Sequence, residues 1–281
     1  MKTSIIVATH NRPDSIRRLV ASLAPELATG SREIIIAENG TLSPMRHPLE
    51  TSRLKHLHEP RAGKCRIQNR AIADASGEIL VFLDDDLVVA PGYLEAVDQF
   101  FDTHREFAAM EGRILAAEDP EKKVGPMAVY LDLPIADHGE EVVEVRGVLG
   151  ANMAFRAEAL KQVGPFDERL GPGACGHEEE TEMSQRLRRA GFRIGYAPKA
   201  LVYHEVDPSR ANRERFIRIA RERGRCRMLH EKHSAADVIS KNAIAWVRLR
   251  IAQLTGAGIP RIAREERRLA IARGMFDGLG G

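Results

Sequence analysis

The chain has 281 residues, 43% of them hydrophobic and 29% charged, enough for one large domain or one domain plus an appendage, with the composition of a soluble globular protein. No apolar run approaches the ~20 residues a bilayer-spanning helix needs, so none is expected. The formal net charge of +2 hides an asymmetry: residues 206–281 hold 17 Lys and Arg against 8 Asp and Glu, or +9, while residues 1–205 hold 25 against 32, or −7. The acidic part has the balance of an enzyme core. The basic tail could meet anionic lipid, nucleic acid or an acidic partner.

The N-terminal MKTSIIVATHN has too short an apolar run for a signal peptide and no small-residue cleavage site, so a cytoplasmic location is expected. Its TSIIVAT (3–9) is a short β-branched run predicting a first strand. Asn11 and Pro13 then open a helix over 14–27, with Ile16, Leu19, Val20 and Leu23 at helical spacing. EIIIAENG (33–40) predicts a second strand. After a polar connection, 62–75 reads as a helix. EILVFL (78–83) is a third strand, PGYLEAVDQFF (91–101) a helix, and a further strand is expected near 107–115.

Continuous apolar strands alternating with helices predict an α/β fold with a mostly parallel sheet covered on both faces. In such sheets ligands sit beyond the C-terminal strand ends. Thr9, His10, Asn11 and Arg12 follow the first strand, Glu38 and Asn39 the second, and Asp84, Asp85 and Asp86 the third, so these clusters should converge on one edge.

The second half is less regular. Residues 116–143 read as an irregular insertion and 144–155 as a strand leading to a Gly-rich bend. A helix at 157–163, a loop, a strong helix at 178–190 and two short strands, FRIGYA and ALVYH, follow. Beyond Val206 the chain is basic and helical. Three domain segments are expected: 1–115, 116–205 and the extension 206–281.

Three adjacent aspartates repel one another by roughly 4 kcal/mol per close pair at an effective dielectric near 20. Asp84 and Asp86 alternate to the same side of an extended chain, within reach of one cation. A hard Mg²⁺ or Mn²⁺ bridging them to a diphosphate would offset the repulsion; a solvated acidic turn is the competing reading. His204, ending ALVYH, reads either as a further metal ligand or as a structural histidine. On the helix that starts at GHEEETEMSQRL, Glu180 shares an arc with Met183 and Leu187, and Glu179 borders it. Both are candidate bases, whereas Glu178 and Glu182 are expected to face water. GPGACG (171–176) fits G-x-G-x-x-G but lacks a preceding hydrophobic strand, so it reads as a Gly-rich loop rather than a dinucleotide site. Cys65, Cys175 and Cys226, an odd count with no paired spacing, are expected to be reduced thiols.

SIIVATHNRP, EIIIAENG, GEILVFLDDD, GANMAFR, FDERLGPG, EEETEMSQRLRRAGFRI and ALVYHE occur in an order that resembles family 2 glycosyltransferases, over roughly 3–205. The resemblance implies a GT-A fold, with a nucleotide-sugar-binding half joined to an acceptor half. It implies inverting transfer from a nucleoside-diphosphate sugar, a UDP-sugar by family habit, to a glycan, lipid-linked or small-molecule acceptor. It places Thr9, Asn11, Arg12 and Glu38 at the base and ribose, with Asp85 near the ribose. It gives Asp84, Asp86 and His204 to the metal, Lys64 to the diphosphate, Asn152 and Met153 to the donor-sugar or acceptor region, and Glu180 to the base position, with Glu179 as competitor. Three positions depart from the pattern: Glu38 and Glu180 stand where aspartate is commoner, and Gln68 where arginine is common.

Two other functions compete: a non-catalytic nucleotide-sugar-binding module, and a nucleotidyltransferase, which would need a Gly-rich loop that ATHNRP lacks. In the tail, RANRERFIRIARERGRCRMLHEK mixes arginines with Phe216, Ile217, Ile219, Ala220 and Leu229, and NAIAWVRLRIAQL carries Trp246. Basic amphipathic helices of this kind either lie on an anionic membrane as a peripheral contact or pack on the core. No nucleic-acid motif is present, so that partner is not expected.

Overall fold

The computed structural model describes residues 2–27, 31–40 and 53–280; most of the polar connection expected after the second strand, 41–52, lies outside them. By its internal contacts the chain forms two compact units. The first comprises 1–117, 134–168 and 179–205; the second comprises 118–133, 169–178 and 206–281. The expected acceptor half, 116–205, is thus divided, with two of its segments joining the tail.

The first unit is built on one sheet. Strands β1 (Thr3–Thr9), β2 (Arg32–Asn39), β3 (Leu54–Glu59) and β4 (Ile79–Asp84) are parallel, in the order β3-β2-β1-β4. Short β8 (Asn152–Arg156) then runs antiparallel between β4 and β6 (Phe107–Ala116). Strand β9 (Arg193–His204) pairs parallel with β6, and carries β5 (Leu87–Val89) and β7 (Val143–Val145) antiparallel. The mostly parallel α/β sheet expected from the sequence is therefore present.

Successive residues of β1, β2 and β4 bury to opposite faces. Ile5, Val7, Ile34, Ile36, Val81 and Leu83 pack under α1 (Pro13–Leu27) and α3 (Tyr93–Thr103). Ile6, Ile35, Leu80 and Phe82 pack under α2 (Lys64–Asp74), α5 (Ala157–Val163) and α6 (Glu179–Arg189). Apolar side chains on both faces are what make these strands read as continuous apolar runs. Two strands escape that signal. LKHLHE of β3 is an edge strand with mostly half-exposed side chains, and β5 is only three residues long. Conversely, FRIGYA and ALVYH form one strand, β9, whose pairing with β6 shifts register between them. The expected strand 144–155 is two strands, β7 and β8, with an irregular stretch between.

In the second unit, short α4 (Pro120–Val124) accompanies three longer helices, α7 (Arg213–His230), α8 (Ala235–Leu254) and α9 (Ile259–Asp277). Helices α7 and α9 cross at glycines: a Cβ on Gly224 would stand 2.0 Å from the Ile271 carbonyl oxygen, and one on Gly274 1.9 Å from that of Arg221. Of the tail's apolar residues, Phe216, Ile219 and Ala220 are buried, and Phe216 meets Tyr130 edge to face at 5.6 Å. Cys175 and Cys226 are joined in a disulfide, with Cα atoms 5.6 Å apart. This corrects the expectation of three reduced thiols; the partners lie 51 residues apart in sequence, a spacing that carries no pairing signal. Cys65 is a free buried thiol.

Candidate active site

The C-terminal ends of β1, β2 and β4 bring their polar residues together, and the structure shows what offsets the aspartate repulsion. Asp85 is 5% exposed and accepts from Thr9 Oγ1 at 2.6 Å and from Arg12 Nη1 at 2.9 Å. Burial raises its pKa, against Thr9 and Arg12, which favour the charged form. Arg12 also reaches Asp86 at 3.2 Å. Asp84 accepts from Lys64 Nζ at 2.8 Å. Two cations thus serve the triplet, Lys64 on Asp84 and Arg12 on both Asp85 and Asp86.

Lys64 is the first residue of α2, and its place is set by Asn39. The Asn39 side chain accepts from Gly63 N at 3.0 Å and donates to the carbonyls of Glu59 at 3.0 Å and Arg61 at 2.7 Å, fastening the loop before α2 to the end of β2. Burial opposes the Lys64 charge, but Asp84 and then Glu179 outweigh it and raise its pKa. One turn on, Gln68 shares its face; it is buried, and its Oε1 has no hydrogen-bond partner.

Glu38 is also buried, at 2% exposure, with His56 Nε2 on its carboxylate at 2.9 Å. The sequence reading missed His56 because β3 gave no strand pattern. Asn11 is exposed and holds a positive φ of 55°, directly after the tip of β1.

Lys64 Nζ also lies 3.6 Å from Glu179 Oε1, so one ammonium links the β4 tip to the start of α6. Glu179 is 5% exposed, whereas Glu180 keeps some surface. Desolvation, then the charge of Glu179, pushes the Glu180 carboxyl up to about 8, and the two side chains are hydrogen-bonded to each other. Gly150 leaves room beside them: a Cβ there would sit 3.8 Å from both Glu180 Cδ and Lys64 Nζ.

The other two glutamates of the run are not in water. Glu178 precedes the helix at a φ of 77° and is 4% exposed, held by Arg227 at 3.2 Å and His230 at 3.7 Å. Glu182 is 9% exposed and takes Arg186 Nε at 2.7 and 2.9 Å, while the same guanidinium donates to the carbonyls of Val163, Gly164 and Pro165. Glu178 is held from outside the helix; Glu182 is held by Arg186 one turn on in the same helix, whose guanidinium is anchored in turn on the 163–165 carbonyls.

Asn152 and Met153 are corrected too. Both have no exposed surface. The Asn152 amide accepts from Tyr93 Oη at 2.7 Å and donates to the carbonyls of Ala200 at 2.9 Å and Arg113 at 3.2 Å. Gly112 makes the room, since a Cβ there would stand 2.1 Å from Asn152 Nδ2. Asn152 is a tie between strands with no surface left for a donor.

At the end of β9, His204 Nδ1 lies 2.8 Å from the Glu205 carbonyl. A carbonyl only accepts, so Nδ1 carries the hydrogen and Nε2 faces Asp86 Oδ1 at 3.3 Å. A proton or a cation must lie between those two acceptors. Burial opposes the charged imidazole, but Asp86 prevails and raises its pKa. The Asp86–His204 pair thus fits a hard cation. Among the described residues, no group of three or more His, Cys, Asp or Glu side chains is arranged to hold a metal ion. Lys64 engages Asp84, and Arg12 and Thr9 engage Asp85.

This fold is of the GT-A glycosyltransferase type. The model of the family described as "Glycosyl transferase family 2" matches residues 4–164, and the chain belongs to that family. It is 28% identical over 276 residues to a pre-mycofactocin glycosyltransferase of Mycobacterium tuberculosis, an alignment covering 92% of this chain and 54% of that protein. It is 30% identical over 237 residues to the O-antigen biosynthesis protein RfbC of Myxococcus xanthus, covering 75% of this chain and 18% of that one. The chain therefore spans about half, or less, of the length of these relatives. Among solved structures, the mannosyltransferase PcManGT from Pyrobaculum calidifontis, in complex with GDP-Man and Mn²⁺, superposes with a TM-score of 0.60 at 16% identity, covering 99% of this chain and 87% of that one. Among the described residues no helix is long and apolar enough to cross a membrane.

Proposed function

We propose that this chain moves a sugar from a nucleoside-diphosphate donor, a UDP-sugar by the habit of its family, to an acceptor hydroxyl by a single inverting displacement. The observation that carries the reading is Lys64, whose ammonium lies 2.8 Å from Asp84 and 3.6 Å from Glu179. It stands between the strand tip suited to a diphosphate and the helix start suited to a base.

In this reading Thr9, Asn11, Arg12 and Glu38 line the base and ribose side. Asp85, oriented by Thr9 and Arg12, faces the ribose. Asp86 and His204, joined by Asp84 once Lys64 turns to the diphosphate, would hold a divalent Mn²⁺ or Mg²⁺ ion. That ion, when bound, supplies positive charge to the diphosphate oxygens. Glu180 takes the proton of the acceptor hydroxyl, and Glu179 holds Lys64 and tunes the base. As the acceptor oxygen bonds to the anomeric carbon, the bond to the diphosphate breaks with its electron pair on the leaving oxygen. Lys64 stabilises that charge. A single base with no second, nucleophilic carboxylate at the sugar matches inversion. The acceptor class is a glycan, a lipid-linked sugar or a small molecule.

A donor panel, scored for slow hydrolysis with Mn²⁺ or Mg²⁺, tests this without a known acceptor. Metal-dependent hydrolysis of one nucleoside-diphosphate sugar is expected. Asp86→Ala should weaken metal-dependent donor binding, whereas Glu180→Gln should bind donor normally and fail to transfer. Donor binding with no turnover across an acceptor panel would point to a binding module. Pyrophosphate release from a nucleoside triphosphate would point to a nucleotidyltransferase.

A further inference from the structure

Helix α8 is packed the wrong way round for a soluble helix. Its buried residues are Val238, Ala245 and Ala252, a seam repeating every seven residues, with Leu249 half-buried beside it. Ala245 and Leu249 meet Leu269 and Ala272 of α9 in a small cluster. At ~100° per residue, the direction opposite that seam is occupied mostly by larger apolar side chains, with Ser240 and Arg250 among them. Ile239 is 54% exposed, Ile244 51%, Trp246 48%, Val247 47%, Ile251 49% and Leu254 86%. Together they cover an arc of ~160°, centred close to the outward normal. No neighbour within the second unit covers them.

Beyond Asp237 of its first turn, which is paired with Lys241 at 2.8 Å, the charges on this helix are of one sign. From Val238 to Leu254 there is no Asp or Glu, while Lys241, Arg248 and Arg250 are present. The Arg250 guanidinium lies over the Trp246 ring at 5.5 Å, within the apolar arc. Lys241 and Arg248 stand along one border of the arc, beside Ile244. On that border a cavity of about 440 Å³ opens among α7, α8 and α9, lined by Lys241, Arg248, Arg227 and Arg268 over Ile244 and Met275. Its one lining carboxylate, Glu231, is paired with His233 at 2.9 Å, while Lys241, Arg227 and Arg268 each also reach a carboxylate outside the lining, Asp237 at 2.8 Å, Glu178 at 3.2 Å and Glu265 at 2.7 Å.

We propose that α8 is a surface-lying membrane contact: its outward apolar face seats at the headgroup–acyl boundary of an anionic bilayer, and the adjoining basic cavity takes a lipid phosphate. A bilayer supplies in one partner the two things this face lacks, apolar cover and negative charge. A second copy of the chain supplies only the first. Stacking α8 on α8 about a two-fold axis would bring Arg248 and Arg250 of both copies together, with the helix's one carboxylate, Asp237, already paired with Lys241, in a segment already at +9. Arginine beside an exposed tryptophan also suits a boundary that is apolar on one side and wet on the other. The proposal stands on residues outside the glycosyl-transfer site and does not depend on that reading.

Trp246 is the single tryptophan of the chain, so its fluorescence reports this surface alone. The full chain is mixed with vesicles of phosphatidylcholine, or of phosphatidylcholine with phosphatidylglycerol, and followed by flotation and Trp246 emission. Flotation with the anionic vesicles at low salt is expected, with a blue shift and quenching by brominated acyl chains. Ile251→Glu with Leu254→Glu should lower vesicle affinity by roughly tenfold or more. Lys241→Glu and Arg248→Glu should each lower it about fivefold, with the difference vanishing in high salt. All four positions are exposed, so an unchanged thermal melt separates lost binding from lost folding. No flotation and no emission change with either vesicle overturns the proposal. So does a solution dimer that Ile251→Glu with Leu254→Glu dissociates, which would make the partner a second copy. Equal binding to both vesicles overturns the role given to the basic border.

Discussion

At the tip of β4, Asp84 has Lys64, Asp85 has Arg12 and Thr9, and Asp86 has Arg12 and His204. At the start of α6, Glu179 and Glu180 share one another and a single lysine, already claimed by Asp84. The first cluster is carboxylate made comfortable, the second carboxylate kept short of positive charge. On the proposed function, the neutralised cluster would release its present cations to a diphosphate and take up that group's counterion instead. At the second, desolvation and then the neighbouring Glu179 charge push the Glu180 carboxyl from the ordinary carboxylate range up to about 8. The same functional group is thus held in two electrostatic states, set by burial and by how many cations each cluster is given.

The sharpest way to break this comparison is to remove the starved carboxylate. Glu180→Gln keeps shape and deletes the base, and is expected to lower kcat by ~10²–10⁴-fold with donor affinity unchanged. Full transfer by that variant would return the role to Glu179. Next comes the shared cation. Lys64→Met should lower kcat by ~10²–10³-fold through loss of leaving-group stabilisation. It should also shift the rate profile to higher pH, because the glutamate pair loses its only nearby positive charge. A profile that stays in place would show that Lys64 does not tune the pair.

In the unaltered protein the base must be unprotonated to act. A carboxyl raised to about 8 is mostly protonated at pH 6 and mostly ionised at pH 9, so kcat is expected to rise across that interval and level off above it. A rate already flat from pH 6 upward would mean that neither glutamate limits the reaction in its protonated form.

The strands that carry the first cluster were legible because β1, β2 and β4 bury both faces, which leaves continuous apolar runs ended abruptly by polar residues. The helix start was legible as acidic, but not in its orientations. Periodicity sees one helix, whereas Glu178 is decided by Arg227 and His230 of another, and Glu182 by an Arg186 that the carbonyls of Val163, Gly164 and Pro165 hold in place. His56 was hidden because an edge strand need not be apolar, and LKHLHE is half-exposed along most of its length. Asn152 was misplaced for the opposite reason. A polar residue after glycines looks available to a ligand, while its real partners, Tyr93 and two carbonyls, come from distant segments. The Cys175–Cys226 bond and the inverted face of α8 are likewise tertiary facts. The basic amphipathic pattern left two packings open, and α7 and α8 use their apolar residues differently: Phe216 and Ile219 are buried, Trp246 and Ile251 exposed.

The smallest expected effect sharpens the comparison by adding a third carboxylate. Glu33 lies near the opposite ends of the strands, 8% exposed, and accepts from Ser4 Oγ at 2.6 Å, Ser76 N at 2.7 Å and Ser76 Oγ at 2.6 Å, with Lys55 at 3.0 Å. Burial favours its neutral form, but the donors from Ser4 and Ser76 win and hold it down at about 2. Its charged form is therefore preferred by the fold. The stability it contributes is present above the ordinary carboxylate value and drains away as pH falls towards about 2. For Glu180 the sign reverses. The fold prefers the neutral form, so its contribution is complete below the ordinary value and is lost as pH rises through about 8. Glu33→Gln should thus destabilise the protein by about 1–3 kcal/mol near neutral pH, and the deficit should close on acidification. Glu180→Gln, which mimics the protonated carboxyl, should raise Tm slightly above pH 8 and change nothing near pH 4. Thermal melts of both variants across pH should give mirror-image difference curves. Parallel curves would mean that the two carboxylates are held alike, and that the contrast between satisfied and starved acids does not exist in this protein.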